Sequence, residues 1–256
     1  MFNYRNINIF FAVFIGGWVW LDHRYGFAPS AYAWILMAYI VVLFCGTYFI
    51  RLGFFFRSYC SGDRDKKEIA LTFDDGPESL TTRVLGILKE KQVTAAFFCI
   101  GRKIPGREEL LNQMIQEGHI IGNHSYSHHP LFDLFSPRRM QDELLQTNQL
   151  IEKATGFFPR FFRPPYGVTN PSLKKAIERS GMISIGWNLR SYDTAIHNEM
   201  RLKKRILDRV KAGTILLVHD TCETTVNLLP GLIDEIQQRG YRILRLDKMI
   251  NLEPYV

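Results

Sequence analysis

EIALTFDDGP, residues 68–77, places two adjacent carboxylates at the end of an apolar run that favours β-structure. Adjacent residues of an extended strand point to opposite faces of a sheet, so Asp74 and Asp75 cannot pack together inside it. Asp, Gly and Pro also favour turns, but a turn hardly explains two carboxylates that leave a buried strand directly. The stretch therefore predicts a buried strand with a chemical role at its end.

Downstream of this strand, short apolar runs alternate with longer amphipathic ones, and glycines follow several of the predicted helices, where a left-handed cap is favourable. Seven strands separated by six helices indicate a parallel βα architecture, and the first strand lacks the glycine-rich turn of an open doubly wound sheet. We therefore expect an α/β fold, a distorted (β/α)7 barrel whose strand ends meet on one face. The predicted strands are 68–73, 95–100, 119–122, 160–163, 182–187, 214–218 and 241–246, and the predicted helices are 80–91, 107–117, 137–155, 171–180, 199–211 and 226–239.

The first sixty residues differ in composition from the rest. Residues 31–50 carry no charge over twenty positions, which as a helix is about 30 Å, one hydrocarbon thickness. Residues 7–21 are uncharged over fifteen positions. They would span a bilayer if the residues before them were included and the Arg5 side chain extended its charge to the membrane surface. A signal peptide cleaved after Ala31-Tyr-Ala33 is the competing interpretation, but the second apolar span begins at that place. We expect an integral membrane protein with a two-helix anchor at 1–60 and one catalytic domain at 61–256.

The charge and cysteine content narrow the choice of partners and compartment. Lys and Arg number 32 against 25 Asp and Glu, and the excess is spread out with no basic stripe among aromatics, so an anionic membrane surface is a better partner than nucleic acid. The four cysteines have no CxxC spacing, which argues against a disulfide framework or a thiolate zinc site. Three thiols outside the spans favour a reducing compartment.

The distribution of basic residues around the two spans predicts the orientation. Five of them follow the second span, whereas Arg5 precedes the first span and Arg24 lies in the loop between the two. Positive residues favour the cytoplasmic side, so we expect the catalytic domain in the cytoplasm. The five are Arg51, Arg57, Arg64, Lys66 and Lys67.

GNHSYSHHP, residues 122–130, carries two histidines four apart, which one helical turn would bring to the same face. His124 and His128 with one carboxylate would make three protein ligands and leave open positions, as in a catalytic zinc site. Two histidines at this spacing are more often a solvated helix face, but an Asp-Asp pair on the same barrel face adds weight to the metal interpretation.

Two further polar residues leave the ends of apolar strands. Arg163 precedes Pro-Pro and would either make a surface ion pair or hold one carboxylate of the Asp pair ionised. His219 ends the run ILLVH and is either a core residue with one hydrogen bond or an exposed, titrating imidazole. Its place at the strand end favours the second interpretation.

Five ordered motifs carry a resemblance to a known family. TFDDGP (72–77), HSYSH (124–128), RPPYG (163–167), WNLRSYDT (187–194) and LLVHD (216–220) resemble the successive motifs of the polysaccharide deacetylase family, also called the chitooligosaccharide deacetylase or fourth carbohydrate esterase family. The resemblance covers about residues 66–250, nearly all of the predicted catalytic domain, and leaves the membrane segment outside.

The resemblance implies a role for each matching residue and a divalent metal, usually zinc, with cobalt or manganese also suited to two histidines and an aspartate. It implies that Asp74 is the general base, that His219 is the general acid, and that metal and a backbone N–H stabilise the oxyanion. The remaining positions are Asp75, His124 and His128 as metal ligands, Arg163 beside the base, Tyr166 as the backbone oxyanion donor, Asp193 orienting the acid, and Leu217 and Pro165 as substrate-binding residues.

The chain departs from the family pattern in one motif, where Arg190 stands at an acidic position and Thr194 at an aromatic one. The resemblance implies removal of N-acetyl groups from amino sugars of a polysaccharide or glycolipid, but this departure leaves the substrate open. Two alternatives remain: a deformylase or deacetylase of a lipid-linked sugar, and a catalytically inactive glycan-binding membrane protein. The sequence identifies no protein partner.

Overall fold

The computed structural model describes residues 3–256, and it begins with a helical hairpin, α1 (Tyr4–Tyr25) and α2 (Ser30–Tyr48). The helices run antiparallel, with the Tyr39 hydroxyl donating to Asn8 Oδ1 at 2.7 Å. Both predicted spans, at 7–21 and 31–50, fall mainly within these helices. Among the described helices, α2 is the one long and apolar enough to cross a membrane. Crossing by α1 stays a prediction.

The rest of the chain forms a curled parallel sheet covered by helices. Its order is β5-β4-β3-β2-β1-β7-β6, and β8 pairs with the start of β1. All named pairings are parallel. The strands are β1 (Glu68–Asp74), β2 (Ala96–Cys99), β3 (Ile120–Asn123), β4 (Phe161–Phe162), β5 (Ile183–Ser184), β6 (Leu189–Arg190), β7 (Thr214–His219) and β8 (Arg242–Ile243).

The expected α/β class with a curled parallel sheet is confirmed, and the distortion of the expected (β/α)7 barrel goes as far as an open half-barrel. Of the predicted strand at 182–187, β5 covers two residues, and β6 follows beyond the predicted bounds; β5 and β6 are the two ends of the sheet order. Four residues join them, whereas a parallel pair needs a crossover of a dozen or more residues. β5 and β6 therefore cannot pair in parallel. Tyr59, from the segment after α2, instead bridges to Ile185 in the gap.

Helices cover the convex side of the sheet, and their ends follow local signals. Ser136 and Asn170 cap α5 and α6, proline follows each cap, and glycine in the left-handed region ends each helix, so the predicted bounds 137–155 and 171–180 are confirmed. The predicted helix 199–211 ends earlier than expected, at Leu207. Of the predicted strand 241–246, only the two residues of β8 form a strand, and the short helix α9 begins at Leu246. The helices are α3 (Ser79–Glu90), α4 (Glu108–Gln116), α5 (Pro137–Thr155), α6 (Pro171–Ser180), α7 (Glu199–Leu207), α8 (Glu223–Gln238) and α9 (Leu246–Ile250).

The alternation along β1 sets the two faces of the sheet. Ile69, Leu71 and Phe73 belong to the large apolar core beneath the helices. Thr72 and Asp74, on the opposite face, are also buried, and they point into the concave side of the sheet. The first polar group of the site is thus placed by strand periodicity alone.

Candidate metal and acid–base centre

The two aspartates that end β1 lie in different environments. Asp74 is buried on the concave face, whereas Asp75 follows it with a φ of 75°, a left-handed conformation that turns its carboxylate towards the histidines. Gly76 comes next, and a side chain there would collide with the Asp220 carboxylate, since its Cβ would lie 2.2 Å from Oδ2. The glycine permits β7 to approach the turn closely.

Asp75, His124 and His128 converge on one point. Nε2 of His124 and Nε2 of His128 lie 3.5 and 3.4 Å from Asp75 Oδ1. Ligands on a tetrahedral metal with bonds of about 2.1 Å are roughly 3.4 Å apart, so the spacing fits a divalent cation. Asp75 Oδ1 is buried and has no hydrogen-bond partner among the described residues. A cation bound at this point would satisfy that oxygen.

The two histidines are held by a loop, and the expected helical turn from His124 to His128 is absent. Ser125 and His128 both have positive φ, at 62° and 47°. Asn123 Oδ1 accepts the Ser125 N–H, Ser125 Oγ accepts the His128 N–H, and Glu143 accepts two backbone N–H groups of the loop. Side-chain oxygens thus replace the hydrogen bonds of a helix, because Pro130 leaves no room for a second turn.

The pKa values of Asp75 and His128 favour cation binding. Burial opposes ionisation of Asp75, but the close His124 imidazole and then the rings of His128 and His219 hold the pKa of Asp75 well below its usual range. Burial and then the neighbouring His124 lower the pKa of His128 to about 4. His124 donates from Nδ1 to the Arg163 carbonyl oxygen, 2.8 Å away, which directs its Nε2 towards Asp75.

Arg163 is fully buried against Asp74, with Nη1 2.6 Å from Asp74 Oδ1. It also donates to Thr72 Oγ1 and to the carbonyl oxygens of Ile185 and Gly186, which lie in the gap between β5 and β6. Its guanidinium stacks 4.1 Å from the centre of the Phe98 ring. The surface ion pair weighed for Arg163 is thus excluded, and the arginine fills the opening of the half-barrel.

His219, at the end of β7, forms a second acid–base pair. Its Nδ1 lies 2.7 Å from Asp193 Oδ1 and its Nε2 faces the Asp75 carboxylate at 3.9 Å. Burial lowers the pKa of His219, but the Asp193 hydrogen bond and the surrounding carboxylates outweigh it and raise the pKa to about 9. The raised pKa favours the imidazolium form of His219, which is buried at the edge of the site and not exposed as the strand-end position suggested.

Sequence reasoning missed two residues that orient Asp193. Ser191 donates to Asp193 Oδ1 at 2.8 Å, and Thr225 donates to Oδ2 at 2.6 Å. The Ser-x-Asp spacing is a local signal that could have identified Ser191. Thr225 lies on α8, and nothing near it in the sequence points to Asp193.

The walls of the pocket combine predicted and unpredicted residues. Leu217 lines it, but the proline that lines it is Pro164 and the predicted Pro165 is buried behind. Tyr166 has a φ of 58°, its side chain is 46% exposed, and its N–H has no acceptor among the described residues. The other wall residues are Trp187, Arg190 and Thr194.

A second group of metal-ligand type, Asp193, His219 and Cys222, is a poor cation site. Asp193 and His219 are already bonded to each other. Burial raises the pKa of the Cys222 thiol to about 12, so the thiolate that would bind a metal is disfavoured.

Comparison with known proteins identifies several relatives that are named as deacetylases. The family model for polysaccharide deacetylase matches residues 61–185. The peptidoglycan-N-acetylglucosamine deacetylase PgdA of Listeria monocytogenes is 34% identical over 187 residues, 73% of this chain and 39% of that protein. The chitooligosaccharide deacetylase of Bradyrhizobium is 32% identical over 199 residues, 72% of this chain and 90% of that protein.

Solved structures are similar over the same region. The peptidoglycan N-acetylglucosamine deacetylase Bc1960 superposes with a TM-score of 0.72 at 28% identity, over 77% of this chain and 94% of its own. The chain spans well under half the length of the first curated relatives, at 39%. The matches cover about three quarters of the chain, a share similar to that of residues 61–256.

Proposed function

The chain belongs to the polysaccharide deacetylase family, and we propose that it is a metal-dependent hydrolase that removes N-acetyl groups from amino sugars of a glycan or glycolipid. The observation that carries the proposal is the convergence, on one pocket, of three metal-ligand side chains, a carboxylate paired with a buried arginine, and an imidazolium paired with a buried carboxylate. This set contains a base and an acid, which a glycan-binding protein without activity does not need.

Asp75, His124 and His128 would hold the cation, which would supply a water of lowered pKa and polarise the amide carbonyl. Asp74, paired with Arg163, takes the proton of the attacking water. The Tyr166 N–H donates to the oxygen that gains charge as the carbonyl carbon becomes tetrahedral. His219 then gives its Nε2 proton to the departing amine, and Asp193 stabilises the imidazolium beforehand. Zinc is the first choice for this ligand set, with cobalt or manganese also suited.

The substrate follows from the walls of the pocket. Arg190 is the one arginine or lysine among the described lining residues, and no described carboxylate pairs with it. Thr194 offers no aromatic surface on which a neutral sugar would stack. We therefore favour an N-acetylated sugar with a nearby anionic group, a carboxylate or a phosphate, as the substrate.

The membrane segment extends the proposal to location. We propose that α1 and α2 anchor the protein in the cell membrane and that the catalytic domain lies in the cytoplasm, supported by the excess of basic residues after α2 and by the three free cysteines outside the two helices. Fusion of a reporter that folds only in the cytoplasm, and of one active only outside, after Val256 tests this. Activity of the external reporter would overturn the orientation.

The activity is tested with full-length protein in detergent, loaded with Zn²⁺ and given chitotetraose, peptidoglycan fragments and a polyprenyl-diphosphate N-acetylglucosamine. Release of acetate supports the proposal, and release of formate from N-formyl analogues alone supports the deformylase alternative. Absence of both with every substrate, alongside tight glycan binding, would favour the inactive glycan-binding protein. Asp74→Asn is the matched control for contaminating hydrolases.

A further inference from the structure

The short turn that carries Leu131 and Leu134, called the leucine turn below, follows the loop of His124 and His128, and it is apolar on two opposite sides. The 3-10 turn Phe132–Leu134 and its neighbours repeat every three residues, so Phe132 and Phe135 share one side and Leu131 and Leu134 the other. Phe132 and Phe135 are buried in the core beneath α5. Leu131 and Leu134 are 54% and 73% exposed. The two outward leucines form a small exposed apolar patch on one turn.

This turn is joined by hydrogen bonds to the end of the apolar helix α2. The Thr169 N–H donates to the carbonyl oxygen of Thr47, in the last turn of α2, at 3.0 Å. Asn170 Nδ2 donates to the carbonyl oxygen of Asp133, within the leucine turn, at 2.7 Å. The adjacent residues Thr169 and Asn170 thus link the end of α2 to the leucine turn. The leucine turn lies on the same end of the catalytic domain as the end of α2.

The junction between α2 and the catalytic domain is packed, so α2 cannot swing freely. Gly46 lies against the ring of Phe54, where even a Cβ would be 2.2 Å from the ring, and Phe54 is 2% exposed. Ile50 is also buried, close to Gly186 in the gap of the sheet. In contrast, Phe49 and Leu52 of the same junction are 51% and 45% exposed. They follow α2 directly in the chain and add two exposed apolar side chains at its end.

The same two loops reach the active site. Leu131 follows the ligand His128 by three residues, and Thr169 follows Tyr166 by three. The Tyr166 hydroxyl lies 3.3 Å from His128 Nδ1, so the loops meet at the pocket. The segments that line the pocket are therefore the segments that link the leucine turn to the anchor.

We propose that Leu131 and Leu134, together with Phe49 and Leu52, form a lipid-docking face that inserts into the surface of the bilayer that α2 enters. The exposed cations Arg51, Arg138 and Arg139 flank this face and would meet lipid phosphates, as at other interfacial surfaces. The face holds the opening of the pocket against the membrane. The occupant is the lipid surface itself, because the turn is linked by the hydrogen bonds of Thr169 and Asn170 to the end of α2, whose apolar side chains are exposed along its length.

The consequence for catalysis rests on the proposed function. With its opening held at the headgroup level, the site would act on an N-acetylated sugar that a lipid presents at the same surface. A glycan far from the membrane would reach the pocket less readily.

The docking itself is tested without any activity. Leu134→Cys and Phe157→Cys are each labelled with an environment-sensitive fluorophore in the full-length protein, reconstituted in phosphatidylethanolamine–phosphatidylglycerol vesicles, with the unsubstituted protein as the background. Phe157 is a matched control, since it is 42% exposed and lies beyond the far end of α5, about 28 Å along that helix from the leucine turn. We expect spin-labelled lipid to quench the label at 134 at least severalfold more than the label at 157. Equal quenching at the two positions would overturn the docking face.

The kinetic arm compares Leu131→Ser with Leu134→Ser, singly and together, against Phe157→Ser. We expect the double variant to raise the apparent KM for a polyprenyl-diphosphate N-acetylglucosamine in the same vesicles by about tenfold, with chitotetraose hydrolysis unchanged. An equal loss on both substrates would assign the leucines to loop stability and overturn docking. If no variant and no wild-type protein releases acetate, the proposed function fails while the quenching result still decides the docking face.

Discussion

Replacement of Asp193 by asparagine tests how the acid of the site is kept protonated. Asp193 accepts hydrogen bonds from both the ring and the backbone N–H of His219, each at 2.7 Å. The pKa of His219 is about 9, against an ordinary value of 6.5, because these bonds and the nearby carboxylates overcome its burial. Asp193→Asn removes the charge of the closest partner while keeping its size, so the pKa of His219 should fall towards the ordinary value.

The size of the effect follows from the two pKa values. At pH 8 about 90% of an imidazole with a pKa of 9 is protonated, against about 3% at a pKa of 6.5. If His219 must be protonated to release the amine, Asp193→Asn should lower kcat at pH 8 by up to about 30-fold through protonation alone. The loss should shrink near pH 6, where His219 is largely protonated in either case.

The direction of the His219 pKa shift also predicts how the unfolding free energy changes with pH. A histidine with a raised pKa stabilises the folded state below its unfolded value of 6.5, and this stabilisation is lost as the pH rises through 9. The wild-type protein should therefore lose the stability that His219 contributes between these values, and Asp193→Asn should lose less over the same range. Urea unfolding in detergent at pH 6 and pH 9.5 measures the difference.

The assay has two parts, a histidine-ring NMR titration of the metal-free protein and a pH profile of kcat with the loaded enzyme. Thr225→Val is the matched control, because it removes one hydrogen bond to Asp193 and leaves the carboxylate; it should move the pKa of His219 by less than about one unit. An alkaline limb that stays in place in Asp193→Asn would refute the acid role of His219.

Three further predictions follow from other parts of the site and core. Asp74→Asn should keep the metal and lower kcat by about 10²- to 10⁴-fold, with loss of the acidic limb of the pH profile; near-full activity would identify another base. His128→Ala should abolish tight Zn²⁺ binding, and stoichiometric metal by elemental analysis would refute its role as a ligand. Burial lowers the pKa of His119 to about 4, so the folded state resists protonation of this ring as the pH falls. Between pH 6.5 and 4 the unfolding free energy of the wild type should therefore fall by about 3 kcal/mol more than that of His119→Gln. Urea denaturation that shows the same pH dependence for both proteins would contradict this.

The sequence by itself determined the elements that depend on nearby residues. The bounds of α5 and α6 follow from a capping side chain, a proline and a final glycine, all within one helix. The placement of Asp74 and His219 at strand ends follows from apolar runs that stop at those residues. The order of the motifs was enough to identify the family, since each motif is a short stretch of chain.

Only the tertiary structure decided how these elements meet. The sheet stays open because four residues cannot carry a parallel crossover, and the buried Arg163 then binds the carbonyl groups left in the gap. The histidine loop is not helical because Glu143, from α5, accepts its backbone N–H groups. Thr225 reaches Asp193 and Thr169 reaches Thr47 across 32 and 122 residues of sequence. Periodicity and capping act over one or two turns, whereas such contacts depend on how the whole chain packs, so local patterns carry no signal for them.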